Sequence, residues 1–146
     1  VNPYPINLNL TGKPVAVVGG GRVAARKIKD LLLAGARVTV ISPKLHPTID
    51  RQAVSWLKRP YRSGDISKMH LVIACTNDET VNRQIVLEAD SLQLVNNASD
   101  KTQSDFFNVA KIETPTFLVT VSTRGNSPTA TRVLKRRLAA WLDEQK

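Results

Sequence analysis

The stretch Lys13-Pro14-Val15-Ala16-Val17-Val18-Gly19-Gly20-Gly21-Arg22-Val23-Ala24 decides the fold. Its first half is an unbroken apolar, β-branched run, the pattern of a strand buried on both faces. Its second half fits G-x-G-x-x-A. From Arg22 to Ala34 the apolar residues Val23, Ala24, Ile28, Leu31 and Leu32 recur at helical spacing, and Gly35 stops the helix. Arg37-Val38-Thr39-Val40-Ile41 then reads as a second buried strand, ended by Ser42-Pro43. Strand, glycine turn, helix and strand within about 30 residues is the context that gives the glycine pattern meaning. Gly19 permits the tight turn. Gly21, lacking a side chain, lets a pyrophosphate come close to the backbone. Ala24 lets the helix pack tightly on the strand. The unpaired N–H groups at the helix start face the phosphate charge. The plain alternative is a glycine turn that holds no ligand.

Working outward, residues 45–53 read as a short helix and Ala53–Leu57 as a third strand. His70–Cys75 is a fourth strand, Asp78–Ala89 a helix with Val81, Ile85, Val86 and Ala89 on one face, and Leu92–Val95 a fifth strand. Asn96–Ser104 is a polar loop and Phe117–Ser122 a further strand. Ser127-Pro128 opens a last helix, serine as N-cap and proline in the first turn. Its apolar stripe is Val133, Leu134, Leu138, Trp141 and Leu142. Strands alternating with helices through residue 95 argue for an α/β fold, a Rossmann-like parallel sheet with helices on both faces. Thr114-Pro115 breaks the pattern. The expected organisation is a dinucleotide-binding domain over residues 1–113 and the start of a dimerisation region over residues 114–146, because the last helix is too amphipathic to stand alone.

The chain has 146 residues, enough for one compact domain without a disulfide or metal staple. Its 42% hydrophobic and 23% charged residues exclude a disordered, collagen-like or coiled-coil chain. No apolar run approaches a membrane span. A single cysteine, Cys75, excludes a disulfide framework and a cysteine-rich zinc site, and fits a reducing, cytoplasmic location. The net charge is +9, and it is uneven. Residues 1–64 carry 11 basic and 2 acidic side chains, residues 65–123 carry 4 and 8, and residues 124–146 carry 6 and 2. Such a balance suits an acidic ligand, a nucleic acid or simply solvated helix faces. Aromatics are 5% and no basic run is interleaved with them, which argues against a stacking platform for single strands.

The end of the second strand is where a ribose would be read, usually by a carboxylate. Here Ser42-Pro43-Lys44 stands there. Ser42 can hydrogen-bond a hydroxyl, whereas Lys44 would favour a 2′-phosphate, so NAD and NADP both stay open on the residues alone. Thr76, at the carboxyl end of the fourth strand, is an expected neighbour of the dinucleotide. No metal constellation is visible: His46 and His70 lie far apart, and His70 and Cys75 read as structural. Ser122, Thr123, Arg124 and the loop through Gly125 to Ser127 precede a helix N-terminus, which offers hydroxyls, N–H groups and a guanidinium to an anion.

Three blocks carry a family resemblance. They are Tyr4–Leu10 with Val15–Lys27; Ala34–Pro43; and Ala74–Asn82, followed by the Asn97–Asp105 loop and Val121-Ser122-Thr123-Arg124-Gly125-Asn126-Ser127-Pro128. Together they resemble precorrin-2 dehydrogenases, among them the dehydrogenase/ferrochelatase module of siroheme synthase. The resemblance implies NAD-dependent oxidation of precorrin-2 to sirohydrochlorin in siroheme or cobalamin biosynthesis, with iron insertion an open second activity. It implies that Gly21, Arg22, Val23, Ser42, Pro43 and Lys44 contact the dinucleotide, with Thr76 nearby. It implies a homodimer and a chain shortened at its C-terminal end. The family's acid lies in the loop after the fifth strand, here Asn97-Ala98-Ser99-Asp100. A one-residue gap places it on Ser99 or Asp100; Asp100 is assigned as the base, its pKa expected to be raised by partial burial, and Asp105 is the second candidate. The substrate carries many carboxylates, which Ser122, Thr123 and Arg124 would receive.

Three rival readings remain. A non-enzymatic NAD sensor would keep Gly19–Ala24 without needing Asp100, Ser122 or Thr123. A nucleic-acid-binding domain would show steeply salt-dependent affinity. An NADP-linked carbonyl reductase would want a Tyr-Lys pair, which the sequence lacks.

Overall fold

The β-branched runs assemble as parallel strands in the computed structural model, which describes residues 1–124 and 126–145. Strands β1 (Pro14–Val18), β2 (Arg37–Ile41), β3 (Ser55–Leu57), β4 (Leu71–Ala74) and β5 (Leu94–Asn97) form one sheet in the order β3-β2-β1-β4-β5. Every pairing in it is parallel. Alternate residues of β1 point to opposite faces. Val15 and Val17 pack with Ala24, Ile28 and Leu31 of helix α1 (Arg22–Leu33). Ala16 and Val18 pack with Ile66 and with Ile85 of helix α2 (Glu79–Glu88). Helices thus cover both faces, which is why β1 and β4 are apolar throughout and buried at every position but the first of β1.

Chain termini of the elements follow local chemistry. Gly35 sits at φ +79° just past α1, and Ala36 N–H donates to the Leu31 carbonyl, a left-handed stop that glycine takes without strain. The Asp78 carboxylate caps α2 by accepting from Thr80 N–H at 2.9 Å.

Several expectations are corrected. Residues 45–53 form turns, not a helix. Polar side chains there bind their own backbone: Asp50 accepts from Gln52 N–H at 2.9 Å, and His46 Nδ1 pairs with Thr48 Oγ1 at 2.8 Å. Such local bonds compete with the helix ladder. β3 is shorter than expected, spanning Ser55–Leu57. β5 begins two residues later than expected. Leu92 lies outside the strand and is 89% exposed, while Asn96 and Asn97 are buried within it. Gln93 is buried too, donating to the carbonyls of Ile66 and Met69. His70 precedes β4 and is exposed rather than buried.

The chain divides into two units, residues 8–107 and residues 1–7 with 108–146. The second contains an antiparallel pair, β6 (Ala110–Glu113) and β7 (Leu118–Val121), and helix α3 (Pro128–Glu144). β6 has too weak an alternation, Ala-Lys-Ile-Glu, to be read from sequence. Thr114 closes the turn between them, its Oγ1 accepting from Phe117 N–H at 2.8 Å. No residue of α3 is buried; Val133, Leu134 and Trp141 are 44%, 48% and 55% exposed. Among the described residues no helix is long and apolar enough to cross a membrane.

One ion pair ties down the crossover before β4. Arg59 donates twice to Asp65, at 2.7 and 2.8 Å, and Arg62 N–H adds a third bond. Arg59 thereby holds the Asp65 carboxyl below its ordinary value, with the Arg62 amide assisting. A depressed carboxylate contributes stability above its unfolded pKa, about 4, and that stability is lost as pH falls through the folded value. Asp65→Asn is therefore expected to lower the melting temperature at neutral pH and to flatten its decline below about pH 4. Parallel melting curves for the two proteins at every pH would contradict this.

Candidate functional site

The three glycines after β1 lie at the carboxyl edge of the parallel sheet, and each answers to a different constraint. Gly19 has φ +128°, and a Cβ there would fall 2.6 Å from the Cys75 carbonyl oxygen, so the turn presses against the end of β4. Gly20 accepts from His46 N–H at 2.7 Å. A Cβ on Gly20 would lie 2.0 Å from the Lys44 carbonyl oxygen and 2.7 Å from Ser42 Oγ. The G-x-G-x-x-A pattern gives Gly20 no role of its own; the structure makes it the residue that seats the glycine loop on the turn after β2. Gly20→Ala must push backbone against backbone, and a loss of about 3 kcal/mol in unfolding free energy is expected. An unchanged melting temperature would contradict the contact.

Gly21 differs from both. A Cβ there would meet nothing within 4 Å, and its φ of −88° is open to any residue. It is the N-cap of α1 and supplies no side-chain cap. The first intrahelical bond runs from Ala25 N–H to the Gly21 carbonyl. The earlier N–H groups have no partner within the helix. Arg22 and Val23 flank this opening and are exposed, whereas Ala24 is fully buried against the sheet. The free side of Gly21, uncapped N–H groups and the positive end of α1 together fit a bound anion.

The turn after β2 is held from the other side. Ser42 is buried; its N–H donates to the Leu57 carbonyl, and its carbonyl accepts from Trp56 Nε1 at 2.9 Å. Pro43 and Lys44 are exposed beside it. Arg51 and Lys58 lie over the Trp56 ring, 5.0 and 5.6 Å from its centre. This support from Trp56 has no signal in the sequence.

At the ends of β4 and β5 a polar network gathers around Asn82, which is fully buried. Thr76 donates its N–H to Asn82 Oδ1 at 3.0 Å and its hydroxyl at 2.7 Å. Asn82 Nδ2 donates back to the Thr76 carbonyl at 3.1 Å and to Ser99 Oγ at 3.2 Å. Thr76 thus lies at the expected edge with its hydroxyl engaged inside the protein. Cys75, beside it, is pushed up to about 11 by burial, an inert thiol at neutral pH.

Asp100 and Ser99 line a cleft of about 300 Å³ with Glu79, Thr80, Arg83 and Asn97. The Asp100 carboxylate accepts from Thr102 Oγ1 at 2.6 Å and Thr102 N–H at 2.9 Å, capping the short turn Lys101–Gln103. These bonds, with Arg83 nearby, hold its pKa below the usual carboxylate value. The expectation of a raised pKa is therefore corrected: hydrogen bonding to the ionised form outweighs burial. Asp105 is committed elsewhere, its Oδ2 accepting from Val95 N–H at 2.8 Å. A larger cleft, about 550 Å³ between Lys68, His70, Asp90 and Leu92, lies at the amino ends of β4 and β5, away from the edge where parallel sheets bind ligands.

In the other unit, Ser122 Oγ accepts from Arg124 N–H at 3.2 Å, and Thr123 Oγ1 accepts from Ser127 N–H at 3.0 Å. Ser127 caps α3 through Ala130 N–H. Arg124 takes φ +58°. Gly125, in the same loop, lies outside the described residues. Ser122 and Arg124 are exposed and Thr123 is half-buried. Among the described residues no group of three or more His, Cys, Asp or Glu is placed to hold a metal ion.

The family described as "Putative NAD(P)-binding" matches residues 6–110. The chain is 38% identical, over 97% of its length, to a siroheme synthase of Neisseria meningitidis, and 34% identical, over 97%, to a siroheme synthase of Actinobacillus pleuropneumoniae. It spans 30% of the length of each of these curated relatives. A solved structure of SirC, a precorrin-2 dehydrogenase, superposes with a TM-score of 0.86 at 30% identity, covering 94% of this chain and 70% of that one.

Proposed function

The chain belongs to the precorrin-2 dehydrogenase family, and from that premise we propose that it oxidises precorrin-2 to sirohydrochlorin with NAD as acceptor. The observation that carries the reading is the open side of Gly21 above the uncapped start of α1. It sits in a glycine loop whose other two members are fixed by the protein's own packing. When bound, the dinucleotide supplies a two-electron acceptor at its nicotinamide ring.

The chain's residues divide the remaining work. Gly19 sets the turn. Gly21, Arg22 and Val23 would hold the pyrophosphate. Ser42, Pro43 and Lys44 would hold the ribose, with Thr76 nearby. Oxidation of the macrocycle removes one hydride, to the dinucleotide, and one proton, to a base. Asp100 takes that proton. Its bonds from Thr102 keep it ionised through the neutral range, the state an acceptor requires. Ser122, Thr123 and Arg124 meet carboxylates of the substrate, and residues 114–146 form part of a homodimer contact. The exposed Val133, Leu134 and Trp141 support that assignment.

NAD rather than NADP is the dinucleotide this family relation favours; Lys44 is the residue here that would reward a 2′-phosphate. Titrating the full protein with each dinucleotide tests the choice. NAD is expected to bind at least 10-fold more tightly, and a preference for NADP would reverse it. Sedimentation of the same protein is expected to give a dimer; a monomer at micromolar concentration would contradict the dimer assignment.

A further inference from the structure

Asn82 is a fully buried polar side chain on α2 that no step above uses. Burying a carboxamide is costly unless its bonds are met, and Asn82 meets them in an unusual way. Its Oδ1 and Nδ2 take the N–H and the carbonyl of one residue, Thr76, as a neighbouring strand would. The same Oδ1 receives the Thr76 hydroxyl, and the same Nδ2 reaches Ser99 Oγ. Ser99 in turn donates its hydroxyl and N–H to Asn97 Oδ1, at 2.8 and 3.0 Å. Asn97 Nδ2 donates to Gln103 at 3.1 Å. One amide therefore joins the loop after β4 to the loop after β5, the segment that ends in Asp100.

We propose that Asn82 is a positioning residue for the reaction. Its carboxamide fixes Thr76 relative to Ser99 and Asp100, so that the dinucleotide-binding loop and the proton-accepting loop keep one geometry. The geometry fits this role better than simple core filling. An apolar residue would pack α2 on β4 as well, and a serine or threonine could satisfy Thr76 alone, but only a planar group with both donor and acceptor serves both loops. A one-ångström displacement of a reacting group is enough to cost about 100-fold in rate. The proposal rests on the dehydrogenase reading given above.

The test is a cycle of Asn82→Ala, Ser99→Ala and the double variant in the full-length protein, with kcat and the dinucleotide KM measured on precorrin-2. Ser99→Ala is expected to lower kcat at least 10-fold with the dinucleotide KM within 3-fold of wild type. Asn82→Ala is expected to lower kcat at least as much and to raise the dinucleotide KM, since Thr76 is released as well. The double variant is expected to match Asn82→Ala, because both substitutions break one link. Losses that multiply, or a KM untouched by Asn82→Ala, would reduce Asn82 to a stability residue and overturn the proposal. If Asn82→Ala does not fold, Ser99→Ala decides alone, and an unchanged kcat overturns it. If wild type itself shows no turnover, the dehydrogenase reading fails, and amide exchange judges the clamp. Asn82→Ala must then speed exchange across residues 99–103 at least 10-fold while β1 stays protected; equal exchange overturns it.

Discussion

Gly21→Asp is expected to weaken dinucleotide binding at least 100-fold while leaving the fold as stable as before, or slightly more so. The two effects separate because of where Gly21 stands. A side chain there meets no protein atom within 4 Å, and φ −88° suits any residue. The position is also an N-cap, where aspartate is preferred to glycine, so the helix gains a few tenths of a kcal/mol. The same carboxylate would lie against the pyrophosphate. Two unit charges about 5 Å apart at an effective dielectric near 20 repel by about 3 kcal/mol, more than 100-fold in affinity. Titration and a melting curve on one preparation check both halves. Retained affinity would remove the dinucleotide from this loop; a large fall in melting temperature would show that Gly21 serves the fold and not a ligand.

Asp100→Asn is expected to cut turnover about 100-fold or more with dinucleotide affinity unchanged. Asparagine caps a helical turn as well as aspartate does, so the bonds from Thr102 to Oδ1 can persist. What is lost is the capacity to take a proton, typically worth 100- to 10,000-fold. The depressed pKa adds a signature. A carboxylate held low by Thr102 stays ionised until the pH falls below about 4, so wild-type turnover should show no acid limb from Asp100 above that value. Thr102→Ala removes both the hydroxyl bond and part of the depression, and should move that limb upward. Wild-type turnover in Asp100→Asn would leave Asp100 as a turn cap and move the base elsewhere.

The parallel sheet was legible because buried β-branched runs and a glycine turn are local signals, repeated within each strand. Gly19, Gly21 and Ala24 could be assigned distinct parts from spacing alone. Gly20 could not, since its constraint is the Lys44 carbonyl, 24 positions away in sequence. Trp56 and Asn82 carry no such local signal: each acts through bonds outside its own element, Trp56 to the Ser42 carbonyl 14 positions back, and Asn82 to Thr76 and Ser99, 6 and 17 positions away. The fifth strand was misplaced because burial of Asn96 and Asn97 reverses the usual rule, while apolar Leu92 lies outside. Asp100 shows the limit for chemistry. Its place in the loop was readable, but the direction of its pKa depends on Thr102, two residues on, turning its N–H and hydroxyl toward it.

The most direct test of the central claim is an anaerobic incubation of the full-length protein with precorrin-2 and NAD, following sirohydrochlorin and NADH absorbance together. The account predicts one NADH for each sirohydrochlorin formed, with both signals absent in Gly21→Asp. Tight NAD binding with no sirohydrochlorin above the enzyme-free control would contradict it, and would leave the glycine loop as the site of a dinucleotide sensor.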